Sequence, residues 1–207
     1  MYCSIWERRG SKMARYKVIA ICGKSASGKD TFLQHILKSA KSEINEIISF
    51  TTRPIRDSEI NGKNYYFISR EEFIQKIDSK EMLEFTIYND WFYGTALDSL
   101  KTDQINVGVF NRRGVEALMQ HTDIDVYVVE MLAGDKERML RSLHREQHPN
   151  VSEIARRFLA DEKEWADFRG ANFILANGNE TCKDKDFEEM VDLILHLASG
   201  RWAESAN

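Results

Sequence analysis

Cysteine is scarce in this 207-residue chain: Cys3, Cys22 and Cys182 lie far apart and fall one short of two pairs. That count argues against a disulfide framework or a cysteine zinc site, and it favours a reducing compartment such as the cytoplasm. No apolar run is long enough to span a bilayer. Residues 1–14, which include Trp6, Glu7, Arg8, Arg9 and Lys12, lack the apolar stretch of a secretory signal. They read as a disordered extension ahead of one domain over 15–207. Neither sign of charge dominates: 29 Lys and Arg face 33 Asp and Glu, a net charge of -4. A global electrostatic case for nucleic acid or for an anionic membrane is therefore missing. Internal repeats and low-complexity tracts are absent too. What remains, 43% hydrophobic and 30% charged residues, is the composition of a globular domain able to bury a core.

Short β-branched runs alternate with helical patterns along much of the chain. Tyr16 to Cys22 (YKVIAIC) reads as a buried parallel strand. A Gly/Ser loop follows, then a helix over Thr31 to Ser39 with Phe32, Ile36 and Leu37 on one face. Ile44 to Ser49 is a second strand candidate. Residues 50–94 break the pattern with aromatics and turns, among them Asn61-Gly62, expected to make a tight turn between short strands. That stretch reads as an inserted lobe, about 50–95. Strands are then expected at Ile105 to Phe110, Ile124 to Met131 and Asn172 to Ala176. Helices are expected at Arg113 to Gln120, Asp135 to Glu146, Val151 to Phe168 and Phe187 to Ala198. Such alternation implies an α/β fold, a parallel sheet covered by helices on both faces.

The loop after the first strand reads Gly23-Lys24-Ser25-Ala26-Ser27-Gly28-Lys29-Asp30-Thr31. This is G-x-x-x-x-G-K in the context the motif requires, strand before and helix after. Glycines let the backbone wrap so that its N–H groups face a phosphate, and the helix N-terminus adds its dipole. Ser25, Ser27 and Thr31 belong to the same cradle, and Lys29 supplies charge for the β- and γ-phosphates. The motif calls for Ser or Thr after the lysine, as a Mg²⁺ ligand. Here Asp30 stands there, a hard oxygen ligand that suits the metal or a residue that caps the helix.

A phosphate loop identifies a nucleoside triphosphate but not a reaction. Between residues 49 and 95 lie Ser49, Arg53, Arg56, Tyr65, Glu84, Tyr93 and Thr95. Arginine forks match phosphate oxygens bidentately. A carboxylate beside hydroxyls can accept from the two donors on the Watson–Crick edge of guanine.

The series S-x-T-T-R-x-x-R from Ser49, E-x-N-G-x-x-Y-x-F from Glu59, the glutamate after Leu83, and Tyr93-Gly94-Thr95 resembles guanylate kinase, over roughly Tyr16 to Asn177. The resemblance implies a P-loop NTPase three-layer core with an inserted monophosphate-binding lobe and a helical lid at about 134–168. It implies that Arg53, Arg56, Tyr65 and Tyr93 hold the monophosphate and that Ser49, Glu84 and Thr95 read the base. Arg141 and Arg145, four apart on one helix face, and Arg157 correspond to lid arginines that stabilise the transferring phosphoryl. Arg138, Arg156 and His144 read as surface residues. Asn177 is placed by the resemblance beside the adenine.

The pattern breaks in one place. The family's Asp-Ile-Asp stretch is here Val109-Phe110-Asn111, so neither aspartate is present, and Asn111 stands where the second would contact the acceptor nucleoside. The resemblance implies ATP and Mg²⁺, a GMP or dGMP acceptor, and a monomer or homodimer. A kinase for another nucleoside monophosphate or a sugar phosphate, and a non-catalytic binding module, are the alternatives.

Overall fold

The structure, a computed structural model, describes residues 16–39, 43–55, 59–88, 90–145, 148–178 and 184–199. The expected extension over 1–14 and the expected phosphate ligand Arg56 lie outside the described residues.

Strand β1 (Tyr16–Cys22) is the centre of the molecule. Its side chains alternate between two cores, as the two-residue period of a strand requires. Ile19 and Ile21 pack in one core with Phe32, Leu33 and Ile36 of α1 (Lys29–Ser39) and Val191 and Ile194 of α6 (Asp184–Ser199). Val18, Ala20 and Cys22 face the other, with Val115 and Leu118 of α3 (Arg112–Leu118) and with Trp165 and Phe168. Each fully buried aliphatic side chain contributes on the order of 2 kcal/mol. That two-sided burial is why the strand reads as a continuous apolar run.

Around β1 lies a five-stranded sheet in the order β2-β7-β1-β8-β9, from β2 (Ile44–Glu46), β7 (Ile105–Val109), β8 (Ile124–Leu132) and β9 (Phe173–Ala176). Every pairing in it is parallel. With helices on both faces, this is the expected α/β class. Helices α4 (Asp135–His144) and α5 (Val151–Trp165) lie between β8 and β9 in the chain.

The aromatic-rich stretch carries a second sheet, in the order β4-β3-β6-β5. It is built from β3 (Phe50–Thr51), β4 (Tyr66–Phe67), β5 (Met82–Tyr88) and β6 (Trp91–Ala96). Two expectations need correction. Asn61-Gly62 does turn the chain tightly, with Gly62 at φ +76°, but β3 and β4 are parallel, so no hairpin joins them. The stretch also contains a helix that the strand-and-turn reading missed, α2 (Arg70–Asp78). Its signal was present: Ser69 and Glu72 form a capping box, each side chain bonding the other's backbone N–H.

Candidate active site

The loop between β1 and α1 closes on itself and on residues far along the chain. Gly23 sits at φ +132°, and a Cβ there would lie 2.4 Å from the Met131 carbonyl oxygen, so only glycine fits. Lys29 Nζ donates to the Gly23 and Lys24 carbonyls at 2.9 Å each. Arg138 Nε takes the Ser25 carbonyl at 2.9 Å, Arg141 the Ala26 carbonyl at 3.3 Å, and Asn177 Nδ2 the Ser27 carbonyl at 2.8 Å. All the carbonyls from Gly23 to Ser27 are thus engaged by side chains. The first bond of α1 runs from Phe32 N to Gly28 O at 3.0 Å, which leaves the amides of Lys29, Asp30 and Thr31 without intrahelical acceptors. The Ser27 hydroxyl is fully buried and has no hydrogen-bond partner among the described residues. Outward-held carbonyls, free first-turn amides and a buried hydroxyl form a cradle for a polyanion.

Asp30 is the second residue of α1 and is exposed, so it stands inside the helix rather than at the cap position ahead of it. Burial lowers the Lys29 pKa, while the charges of Asp30 and Asp161 act against that shift.

The second sheet brings the expected acceptor residues together. Arg53 makes a bidentate pair with Glu59 at 2.6 and 2.5 Å, and its guanidinium lies 5.2 Å from the ring centres of both Tyr65 and Phe67. The Tyr65 and Tyr93 rings meet edge to face at 6.0 Å. Burial, then the neighbouring Tyr93, raises the Tyr65 pKa, and Asp30 adds to that rise.

Ser49 and Thr95 hydroxyls are 3.2 Å apart. Glu84 hydrogen-bonds Thr95, and burial pushes its carboxyl up to about 7. A Cβ on Gly114 would lie 3.2 Å from Glu84 Oε2 and 3.3 Å from Asn111 Oδ1, so both oxygens converge on that glycine. Asn111 is the N-cap of α3, its Oδ1 accepting from Gly114 N at 2.8 Å. Val109 packs against the apolar core at the end of β7.

Helices α4 and α5 border the loop. Arg145 and Arg157 line a cleft with Ser25 and Ala26, and Arg157 Nε is held by Glu153 at 2.8 Å. Arg141 also reaches the Asn177 carbonyl at 3.0 Å. Arg156 is exposed and paired with Glu153. Arg138 is the correction: it is fully buried, not on the surface, because it faces the loop and Asp161 instead of solvent. Sequence reading also missed Glu59 as the partner of Arg53, and Asp161. The spacing carried a signal, since Arg138 is three residues before Arg141 and Asp161 four after Arg157, each on its neighbour's helix face.

No helix among the described residues is long and apolar enough to cross a membrane. A family model described as "Guanylate kinase" matches residues 15–183. A guanylate kinase of Wigglesworthia glossinidia brevipalpis is 30% identical over 172 residues, 80% of this chain and 82% of that protein. One of Lactiplantibacillus plantarum is 42% identical over 84 residues, 41% of each chain. The crystal structure of guanylate kinase from Anaplasma phagocytophilum superimposes with a TM-score of 0.61 at 22% identity, covering 91% of this chain and 87% of that one, a likeness of fold.

Proposed function

Because the chain belongs to the guanylate kinase family, we propose that it transfers the γ-phosphoryl group of ATP to GMP or dGMP. One P–O bond forms to an oxygen of the acceptor phosphate, and the bond from the γ-phosphorus to the β–γ bridging oxygen breaks. The observation that carries this reading is the phosphate loop with unbonded amides at the head of α1, in a chain whose second sheet gathers Arg53, Tyr65 and Tyr93. The amides of Lys29, Asp30 and Thr31 and the Ser27 hydroxyl are left for the triphosphate, and Lys29 Nζ would exchange the Gly23 and Lys24 carbonyls for its phosphates.

In this reading Arg53, Tyr65 and Tyr93 hold the acceptor phosphate, with Arg56 as a further ligand. Arg53 would exchange its Glu59 partner for, or share it with, the phosphate. Ser49, Glu84, Thr95 and Asn111 face the base, and the ionised Glu84 accepts from guanine N1–H and the 2-amino group. Arg141, Arg145 and Arg157 stabilise charge on the phosphoryl in transit. Asn177 borders the ATP. The units are an acceptor lobe over 50–95 and a lid over 134–168, and catalysis is by positioning and charge rather than a covalent intermediate.

Mg²⁺ suits this donor set. The described residues hold no cluster of three His, Cys, Asp or Glu side chains arranged for a metal, but Mg²⁺ needs only one or two carboxylates beside phosphates and water. Asp30 is the residue that would reach it, and the ion would neutralise phosphate charge.

A coupled ADP-release assay across a panel of (d)NMP acceptors tests the proposal. Turnover should be highest with GMP or dGMP. A preference for AMP or CMP would remove Glu84 from its role, and no turnover with any acceptor would remove the kinase.

A further inference from the structure

Ser25 is held at every polar atom. Its amide donates to Asp161 Oδ2 at 2.7 Å, its hydroxyl to Asp161 Oδ1 at 3.3 Å, and its carbonyl accepts from Arg138 Nε at 2.9 Å. Arg138 and Asp161 are joined to each other, Nη2 to Oδ2, at 2.5 Å. The second Nη of Arg138 reaches Asp135 at 2.7 Å, and the guanidinium lies 4.3 Å from the ring centre of Phe158. Arg138 is fully buried and Asp161 is 7% exposed. The two residues come from α4 and α5, and the neighbouring pair Lys24–Glu162 ties the loop to α5 a second time.

A buried guanidinium–carboxylate pair seldom adds net stability over apolar side chains of the same volume. What it adds is direction. Apolar packing cannot aim a peptide N–H, whereas a carboxylate on the amide and an arginine on the carbonyl fix the peptide planes on both sides of Ser25. The next residue needs such a hold. Ala26 has φ +58°, in the left-handed region where a Cβ costs roughly 1 kcal/mol. Its conformation sets the path of the chain into Ser27, whose amide donates to the Lys24 carbonyl at 3.3 Å, and persists only if its neighbours are pinned.

We propose that Arg138 and Asp161 are positioning residues that brace the phosphate loop at Ser25, so that the seating of α4 and α5 governs ATP affinity without touching the acceptor. The inference rests on ATP being the nucleotide of this loop. Truncating one partner alone would leave the other buried without this hydrogen-bond partner, so the main test removes both, and the single variant is Asp161→Asn, which keeps an acceptor oxygen.

The double variant Arg138→Met/Asp161→Ala, and separately Asp161→Asn, are titrated with ATP and with GMP by calorimetry, alongside thermal unfolding. The double variant should melt near the wild type and bind ATP about tenfold more weakly, the loss of roughly one charge-assisted hydrogen bond. GMP affinity should not move. Asp161→Asn keeps an acceptor for the Ser25 amide and should lose less, roughly threefold. Unchanged ATP affinity in a folded double variant, or equal losses for ATP and GMP, overturns the brace. Should the double variant not fold, unchanged ATP affinity in Asp161→Asn overturns it instead. A wild-type chain that binds no ATP overturns the nucleotide reading, and the proposal with it.

Discussion

Glu84 links the electrostatics of the acceptor cluster to a measurable pH dependence. Burial raises its carboxyl from the usual 4.5 to about 7, with hydrogen bonds from Thr95 pulling the other way. Guanine needs the ionised form, because only a carboxylate accepts twice from the base's N–H donors. One pH unit below the pKa, about one tenth of the free enzyme is ionised, so kcat/KM for GMP at pH 6 should be about tenfold below its value above pH 8. The acceptor phosphate itself titrates near this range, with a second pKa of about 6. Glu84→Gln separates the two: it should retain the phosphate limb and lose the one centred near 7. The assay is kcat/KM for GMP between pH 5.5 and 8.5 for both proteins.

The same shift makes a stability prediction of definite sign. The folded pKa is raised above the unfolded one, so the folded state binds the proton more tightly. Its contribution is fully present below about pH 4.5 and lost as the pH rises through about 7. Above pH 8 the ionised, buried Glu84 costs at most about 3 kcal/mol, the free-energy equivalent of its shift. Urea unfolding without ligand should therefore show Glu84→Gln gaining on the wild type as pH rises from 5 to 8. A constant difference between the two proteins, or a kinetic limb near pH 7 that survives the substitution, would refute the reasoning.

Lys29→Met should lower kcat about a hundredfold or more while the chain remains folded, measured by ADP release and by circular dichroism. Gly23→Ala places a Cβ against the Met131 carbonyl at a positive φ, so its unfolding free energy should fall by about 2 kcal/mol. Arg53→Lys keeps the charge but not the two-pronged bond to Glu59 or the contact with the Tyr65 and Phe67 rings. KM for GMP should rise about tenfold with KM for ATP unchanged. Asp30→Ser should shift the Mg²⁺ concentration needed for half-maximal rate; an unmoved requirement would remove Asp30 from the metal.

The difference between what the sequence shows and what it hides follows from where each hydrogen bond ends. The strand β1, the loop and helix α1 are contiguous, so periodicity and the glycine spacing describe their order and backbone, with α1 starting two residues earlier than expected. The expected acceptor residues are spread over 49–95 but lie in and beside one small sheet, and their grouping, though not their role, was legible from the motif order. Arg138 was not. A mid-helix arginine beside acidic residues has the pattern of a solvated face, and its burial depends on Asp161 and on the Ser25 carbonyl, which is 113 residues away. Asn111 shows the same limit, since its Oδ1 caps α3 and that use is visible only when the Gly114 amide is placed.

This asymmetry has a physical consequence for the phosphate loop. The motif specifies which backbone can turn its N–H groups inward, but every inward N–H implies a carbonyl turned outward that must find a donor. In this chain the donors for Ser25, Ala26 and Ser27 are Arg138, Arg141 and Asn177, from α4 and from the segment after β9. An intact G-x-x-x-x-G-K is therefore half of a binding site, and the other half is contributed by side chains that the motif does not contain. Variants of those three residues should separate ATP affinity from acceptor affinity, whereas a change within the acceptor sheet should do the reverse. On the proposed function, the two halves of the reaction would be supported by different parts of the fold, and each should weaken without the other.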